Sequence, residues 1–213
     1  MSEIFKMEKM EKTDFKKELK YLYAPPAKEI EIVNVPQMNF LMIDGIGNPD
    51  TSQEFKEAIE TLYAVSYTIK FIVKKEKSIN YVVMPLEGLW WADDMASFSS
   101  EGMDKNSWKW TLMIMQPECV TKNIFSKAIE EVKKKKNLPF LSKIRLENLQ
   151  EGLSAQILYI GPYDAEHTTI EKIHAFIKER GYKFSGKHHE IYLSDPRKTA
   201  PEKLKTIIRQ PVK

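Results

Sequence analysis

At 213 residues the chain is long enough for one large domain or two small ones, and its 42% hydrophobic and 30% charged content is that of an ordinary globular protein. A net charge of +3, with no dense basic block interleaved with aromatics, removes electrostatic support for direct nucleic-acid binding. The single cysteine, Cys119, cannot form an internal disulfide, no Cys/His grouping suggests zinc, the N-terminus is too charged for a signal peptide, and no apolar run approaches a membrane span. The expectation is a soluble, cytoplasmic protein with no cofactor, no metal and no membrane partner.

Residues 1–36 are charged and then turn-like, with Pro25, Pro26 and Pro36. They read as an N-terminal arm with one short helix near 14–22, too small for a helix-turn-helix domain. Residues 37–213 read as the main domain. MNFLMIDGIGNP (38–49) is a strand ending in a Gly/Pro turn. In TSQEFKEAIETLYAVSYTIKFIVKK (51–75), Phe55, Ile59, Leu62, Val65, Ile69 and Ile72 recur at helical spacing. Thr51 or Ser52 can cap that helix, with Glu54 placed to complete a capping box on Thr51. YVVMPLEGLWW (81–91) is a strand, ADDMASFSSEGMDKNS a polar loop, and WKWTLMIMQP (108–117) a strand with Trp108, Trp110, Leu112 and Ile114 on one face.

A connecting helix follows, with Ile124, Phe125, Ala128, Ile129 and Val132 inward and the Lys133–Lys136 run as its solvated end, complementing the helix dipole. Residues 143–150 read as a short extra strand. The pattern then returns: LSAQILYIGPYD (153–164) as strand, EHTTIEKIHAFIKERG (166–181) as helix, HHEIYLSDP (188–196) as strand and KLKTIIRQP (203–211) as the last strand. Strand–helix–strand–strand thus occurs twice, at about 38–117 and 153–211, each unit closing on Gln-Pro. One such unit buries its face poorly alone. Two side by side give an α+β fold with pseudo-two-fold symmetry and both helices on one face of a mixed, largely antiparallel sheet. The cleft between the helices is where a small-molecule site belongs.

In HHEIYLSDP, His188, Glu190 and Tyr192 fall on one strand face, and His189, Ile191 and Leu193 on the other. Glutamate is depleted in strands, so Glu190 either looks at water or serves a site. The adjacent histidines point apart, and His167 and His174 stand two turns apart, so neither pair suits one metal ion.

The duplicated units, with a glutamate in the penultimate strand in an EIYLSDP context, resemble the GyrI-like small-molecule-binding domain. FLMIDGIGNP, YVVMPLEGLWW, KKKKNLPFL and HHEIYLSDPRKTAPEKLKTIIRQP carry the resemblance, which covers about residues 30–213. They look most like the free-standing branch, some members of which hydrolyse the strained ring of cyclopropane-bearing DNA-alkylating compounds within an aromatic cage. The resemblance implies that Glu190 points into the pocket, as a base on water or as the partner of cationic aromatic drugs. It makes Glu190 and Tyr192 the candidate catalytic pair, with Tyr192 orienting a ligand oxygen. Tyr63, Tyr67, Trp90, Trp108, Trp110, Tyr159 and Tyr163 are the candidate ligand-binding aromatics. Trp90 and Trp91 face opposite ways in a strand, and Trp90 matches the family segment. The expected partners are small aromatic or cationic molecules. Three functions stay open: a hydrolase, a module that sequesters drugs, and a protein-interaction role such as gyrase inhibition.

Overall fold

A computed structural model of the chain describes residues 11–92 and 105–213, so most of the polar loop between the first unit's last two strands lies outside the described residues. A short strand, β1 (Lys12–Thr13), and two single-turn helices, α1 (Phe15–Glu18) and α2 (Lys20–Tyr23), lead to β2 (Glu31–Val35). The first unit comprises β3 (Met38–Ile46), α3 (Gln53–Lys77), β4 (Asn80–Tyr81), β5 (Leu86–Trp91) and β6 (Lys109–Gln116). Helix α4 (Lys122–Lys135) and β7 (Arg145–Leu149) connect it to the second, made of β8 (Gly152–Ile160), α5 (His167–Glu179), β9 (His188–Tyr192) and β10 (Lys205–Pro211).

The main sheet has eight strands in the order β2-β8-β10-β9-β5-β6-β3-β7. Each neighbouring pair is antiparallel. Outward from the β9–β5 boundary, β5-β6-β3 repeats the order β9-β10-β8, which places the pseudo-two-fold between β9 and β5. The flanking strands are exchanged. β2 precedes β3 in the chain but pairs with β8, and β7 precedes β8 but pairs with β3. Each unit therefore closes the other's edge, which ties the halves together and covers edges that would otherwise attract another chain. The run read as one strand over 81–91 is divided. Pro85, which lacks an N–H, breaks it, and the piece before the break, β4, pairs in parallel with β1 in a separate two-stranded sheet.

Directly paired residues share a sheet face, so the register locates both helices. Phe55 of α3 packs on Trp90 and Trp110. Ile173 and Ile177 of α5 pack with Ile157 and Ile208. Ile208 is the cross-strand partner of Glu190, and Trp90 that of His188. Both helices thus lie on the face that carries His188, Glu190 and Tyr192. Helix α3 buries Ala58, Leu62, Val65, Ile69 and Val73 completely. Truncating such a leucine typically costs about 2–5 kcal/mol. Ser52, not Thr51, caps α3: its Oγ accepts from the Phe55 N–H at 3.2 Å. With Ser52 as cap, Glu54 stands one residue short of the capping-box position, so no box forms on either residue. Helix α4 packs against α3, and its Lys136 reaches Glu60 at 3.0 Å from an otherwise solvated basic end.

The other sheet face buries charge under α2. His189 donates through Nδ1 to Glu151 (2.9 Å) and through Nε2 to Glu87 (3.0 Å). Arg209 donates to Glu151 (3.2 Å), to Gln156 and to the Leu22 carbonyl (2.7 Å), while the Tyr23 hydroxyl donates to Glu87 (2.9 Å). Burial alone would pull the imidazole of His189 down, but Glu151 and Glu87 outweigh it and hold it up at about 9. Burial likewise pushes Glu151 up, and His189 with Arg209 outweighs that, bringing it to about 2. Two carboxylates are thus balanced by an imidazolium and a guanidinium, and the α2 backbone is fastened to the sheet by the same groups.

Candidate functional site

The pseudo-two-fold sets β9 beside β5, and Glu190 lies directly opposite Gly88. Glu190 Oε2 accepts from the Tyr192 hydroxyl at 2.7 Å, and that oxygen in turn accepts from Trp90 Nε1 at 3.1 Å. Glu190 Oε1 is 3.1 Å from His188 Nε2, a pairing that requires the proton on that nitrogen. The Glu190 side chain keeps 16% of its surface exposed, on the sheet face that carries α3 and α5. A glutamate in this strand is therefore neither a surface residue nor a sealed one. Two side chains, one on each oxygen, fix its orientation while part of the side chain stays open to solvent. Burial, and then the charge of Glu190, push the Tyr192 phenol well up, so Tyr192 is a neutral donor at physiological pH.

The aromatics surround this carboxylate at different depths. The Trp90 ring lies between Phe55 and Trp108, each with its centroid 5.8 Å away. Trp110 is fully buried and forms the floor beneath Phe55. It fits because its cross-strand partner is Gly45, where a Cβ would stand 2.1 Å from the indole ring. Tyr163 presents an edge to Tyr192 at 5.7 Å and is 40% exposed, so it borders the outer rim. The Tyr63 phenol lies close enough to that of Tyr163 to act on it electrostatically. Tyr67, one turn along α3, is 6.4 Å from Tyr63 and largely exposed. Tyr159 folds over Gly161 and commits its hydroxyl to the Pro162 carbonyl at 2.8 Å. Trp91 points to the opposite sheet face, with Lys187 Nζ 3.2 Å above its ring. Glu190, Tyr192, Trp90, Trp108 and Tyr163 thus come together, with Tyr63 at their rim and Tyr67 and Tyr159 at the margins.

Two further groups belong to the site and were not singled out from sequence for it. From sequence His188 reads as a strand residue sharing a face with Glu190, and Glu166 as the first residue of the helix over 166–181. Glu166 stands at the N-cap of α5 yet makes no capping hydrogen bond. Only 4% of it is exposed, and its Oε1 has no hydrogen-bond partner. Burial, and then the charge of Glu190, push its carboxyl up to about 9, against a weaker pull from the neighbouring Thr206 hydroxyl. Among the described residues, no group of three or more His, Cys, Asp or Glu is placed to hold a metal ion, and no helix is long and apolar enough to cross a membrane.

Gly88 gives this arrangement a sharp test. A Cβ there would lie 2.8 Å from Trp90 Nε1 and 3.2 Å from the Tyr192 oxygen. Gly88→Ala is expected to part those two groups and to cost about 1–3 kcal/mol in a denaturant melt, the usual range for an overpacked core. Its tryptophan emission should shift as Trp90 loses its partner.

The chain matches the family described as GyrI-like small molecule binding domain over residues 28–213. Among solved structures it is 42% identical to an uncharacterized conserved protein from Listeria innocua, covering 95% of this chain and 100% of that one, with a TM-score of 0.85. It is 40% identical to a hydrolase from Listeria innocua, with the same coverage and a TM-score of 0.81. The C-terminal domain of EcmrR shares the fold at 12% identity, with 87% of this chain and 97% of that one covered and a TM-score of 0.52. A search among curated proteins gave no match.

Proposed function

From the premise that the chain belongs to the GyrI-like small-molecule-binding domain family, we propose that it binds flat aromatic electrophiles in this cleft and hydrolyses the strained cyclopropane ring of DNA-alkylating compounds. The observation that carries this reading is the Trp90–Tyr192–Glu190–His188 chain of hydrogen bonds, which orients a partly exposed carboxylate among aromatic faces. A flat compound held on those faces presents its ring to Glu190. Glu190 takes a proton from water while the water oxygen bonds to a ring carbon. The strained carbon–carbon bond breaks, its electron pair passes into the conjugated system of the substrate, and the resulting anion takes up the proton that Glu190 accepted, which restores the carboxylate. Strain already raises the ground state, so positioning together with one base suffices for useful acceleration. The hydrolase from Listeria innocua supports the catalytic version by its name and its 40% identity.

The test is to incubate the purified protein with a cyclopropane-bearing alkylator and look for the ring-opened, water-added product. Intact compound after prolonged incubation, with no acceleration over buffer, would defeat the catalytic reading. A second reading, binding of aromatic cations without turnover, is favoured by the paired carboxyls of Glu166 and Glu190 within an aromatic cleft. Quenching of tryptophan fluorescence by such cations at micromolar concentration supports it. An unchanged signal across a varied panel counts against it.

A further inference from the structure

The carboxyl that the hydrolytic scheme leaves unused is Glu166. It occupies the N-cap position of α5, at the positive end of the helix dipole, yet makes no capping hydrogen bond. Its side chain is buried, with no hydrogen-bond partner for Oε1, and the Thr206 hydroxyl beside it is close enough only to oppose weakly the rise of its carboxyl. The groups around it come from each element packed there. Glu190 and Tyr192 act on it from β9, Tyr159 from β8, Tyr163 from the preceding turn, and Thr206 from β10. Tyr63 of α3 and Asp195 stand beyond Tyr163. His188 faces Glu190, with Nε2 3.1 Å from its Oε1. A fully buried carboxyl beside a second, partly buried one cannot ionise at low cost unless a positive charge reaches it.

We propose that Glu166 is a second functional carboxyl of this cleft, which holds a proton in the ligand-free protein and releases it to solvent when an aromatic cation binds, so that cation capture is coupled to the loss of one proton. The proposal rests on the reading of the cleft as a small-molecule site. Without a ligand, the proton on Glu166 removes the repulsion with Glu190. A cation resting on the aromatic faces supplies the missing positive charge, and both carboxyls can then ionise. The balance is one protonated carboxyl and one cation going to one ion pair and one free proton. A neutral aromatic ligand brings no charge, and Glu166 keeps its proton.

The consequence is a pH-dependent affinity specific to cations. Where one proton leaves per ligand bound, the association constant rises about tenfold per pH unit until Glu166 ionises unaided. Isothermal titration of the full chain with tetraphenylphosphonium between pH 6.5 and 9.5 reads this directly. Buffers of different ionisation enthalpy count the protons. The expected result is close to one proton released at pH 7, falling toward none above about 9. Glu166→Gln should still bind tetraphenylphosphonium, with no proton released and an affinity nearly independent of pH. Triphenylphosphine oxide, a neutral probe of related shape, should release no proton from either form. Cation binding without proton release by the native chain overturns the proposal, as does equal release by Glu166→Gln. If tetraphenylphosphonium fails to bind, the coupling is overturned, while binding of triphenylphosphine oxide would leave the small-molecule reading intact. A carbon-13 titration of the ligand-free protein is independent of any probe. A Glu166 midpoint near the ordinary glutamate value of about 4.3 overturns the proposal outright.

Discussion

Replacing Arg209 with methionine is expected to lower the unfolding free energy by about 3–5 kcal/mol, the cost of removing one partner from a buried ion pair. Arg209 is completely buried, as is His189. The substitution fits the volume but leaves the Gln156 carbonyl oxygen, the Leu22 carbonyl and one oxygen of Glu151 without the guanidinium. His189 still reaches both oxygens of Glu151 through Nδ1, at 2.9 and 3.0 Å, so the Gln156 and Leu22 carbonyl oxygens share the deficit with the carboxylate. A urea melt measures the loss. The double variant Arg209→Met, Glu151→Gln should recover part of it, because the stranded charge goes with its partner. A loss below about 1 kcal/mol would show that the guanidinium's attraction barely exceeds its own desolvation, as happens when buried pairs give way to well-packed apolar groups.

The same charges set the pH dependence of stability. Glu151 is held at about 2, below its ordinary 4.5, so its contribution is complete above 4.5 and is lost as pH falls through 2. His189 is held at about 9, above its ordinary 6.5, so its contribution is complete below 6.5 and is lost as pH rises through 9. Glu166 acts against folding. The unfolded chain gives up that proton near 4.5 and the folded chain keeps it to about 9, so stability declines between those values. For these groups the optimum lies near pH 4.5, with a decline that steepens above 6.5. Melting temperatures measured from pH 5 to 9 should show it. Glu166→Gln should flatten the part below 6.5, where Glu166 acts without His189.

Much of this fold was legible because periodicity and turn chemistry are local. The helical spacing from Phe55 to Ile72, the Gly/Pro turn after Ile46 and the alternation in HHEIYLSDP needed no knowledge of partners. The opposed faces of Trp90 and Trp91 followed from strand geometry alone. What escaped depends on pairing between distant segments. Nothing in Glu31–Val35 says that it joins β8 rather than β3, because its partner lies more than a hundred residues away. The buried quartet was equally hidden. His189 and Arg209 look like surface residues until the sheet register sets them side by side under α2. Glu166 reads from sequence as no more than the first residue of a helix, where an acidic residue is ordinary. Only the packing of α5 against β10 turns its side chain inward. Trp110 shows the reverse limit. Its spacing marked an inward aromatic, but its depth was fixed by the missing Cβ of Gly45.

Glu190→Gln is expected to slow hydrolysis of a cyclopropane substrate by about two to four orders of magnitude, the usual scale for a positioned general base. The geometry makes the substitution clean. The amide oxygen of glutamine can still accept from Tyr192, and Tyr192 can still accept from Trp90. The amide nitrogen then faces His188, whose Nε2 becomes an acceptor once its proton moves to Nδ1. The aromatic faces stay in place, so affinity for a neutral flat ligand should change by less than about threefold, well under 1 kcal/mol. Loss of turnover with retained neutral binding identifies Glu190 as the base. If Glu190 serves only to pair with cations, cationic ligands weaken, neutral ones do not, and any hydrolysis persists. Tyr192→Phe separates the base from its orienting partner. It removes one hydrogen bond to the carboxylate and leaves Trp90 Nε1 without an acceptor, yet the proton acceptor remains. Its turnover should therefore fall by much less than that of Glu190→Gln. Equal losses in the two variants would assign the chemistry to the hydrogen-bonded pair as a unit, because either change then removes the same oriented carboxylate.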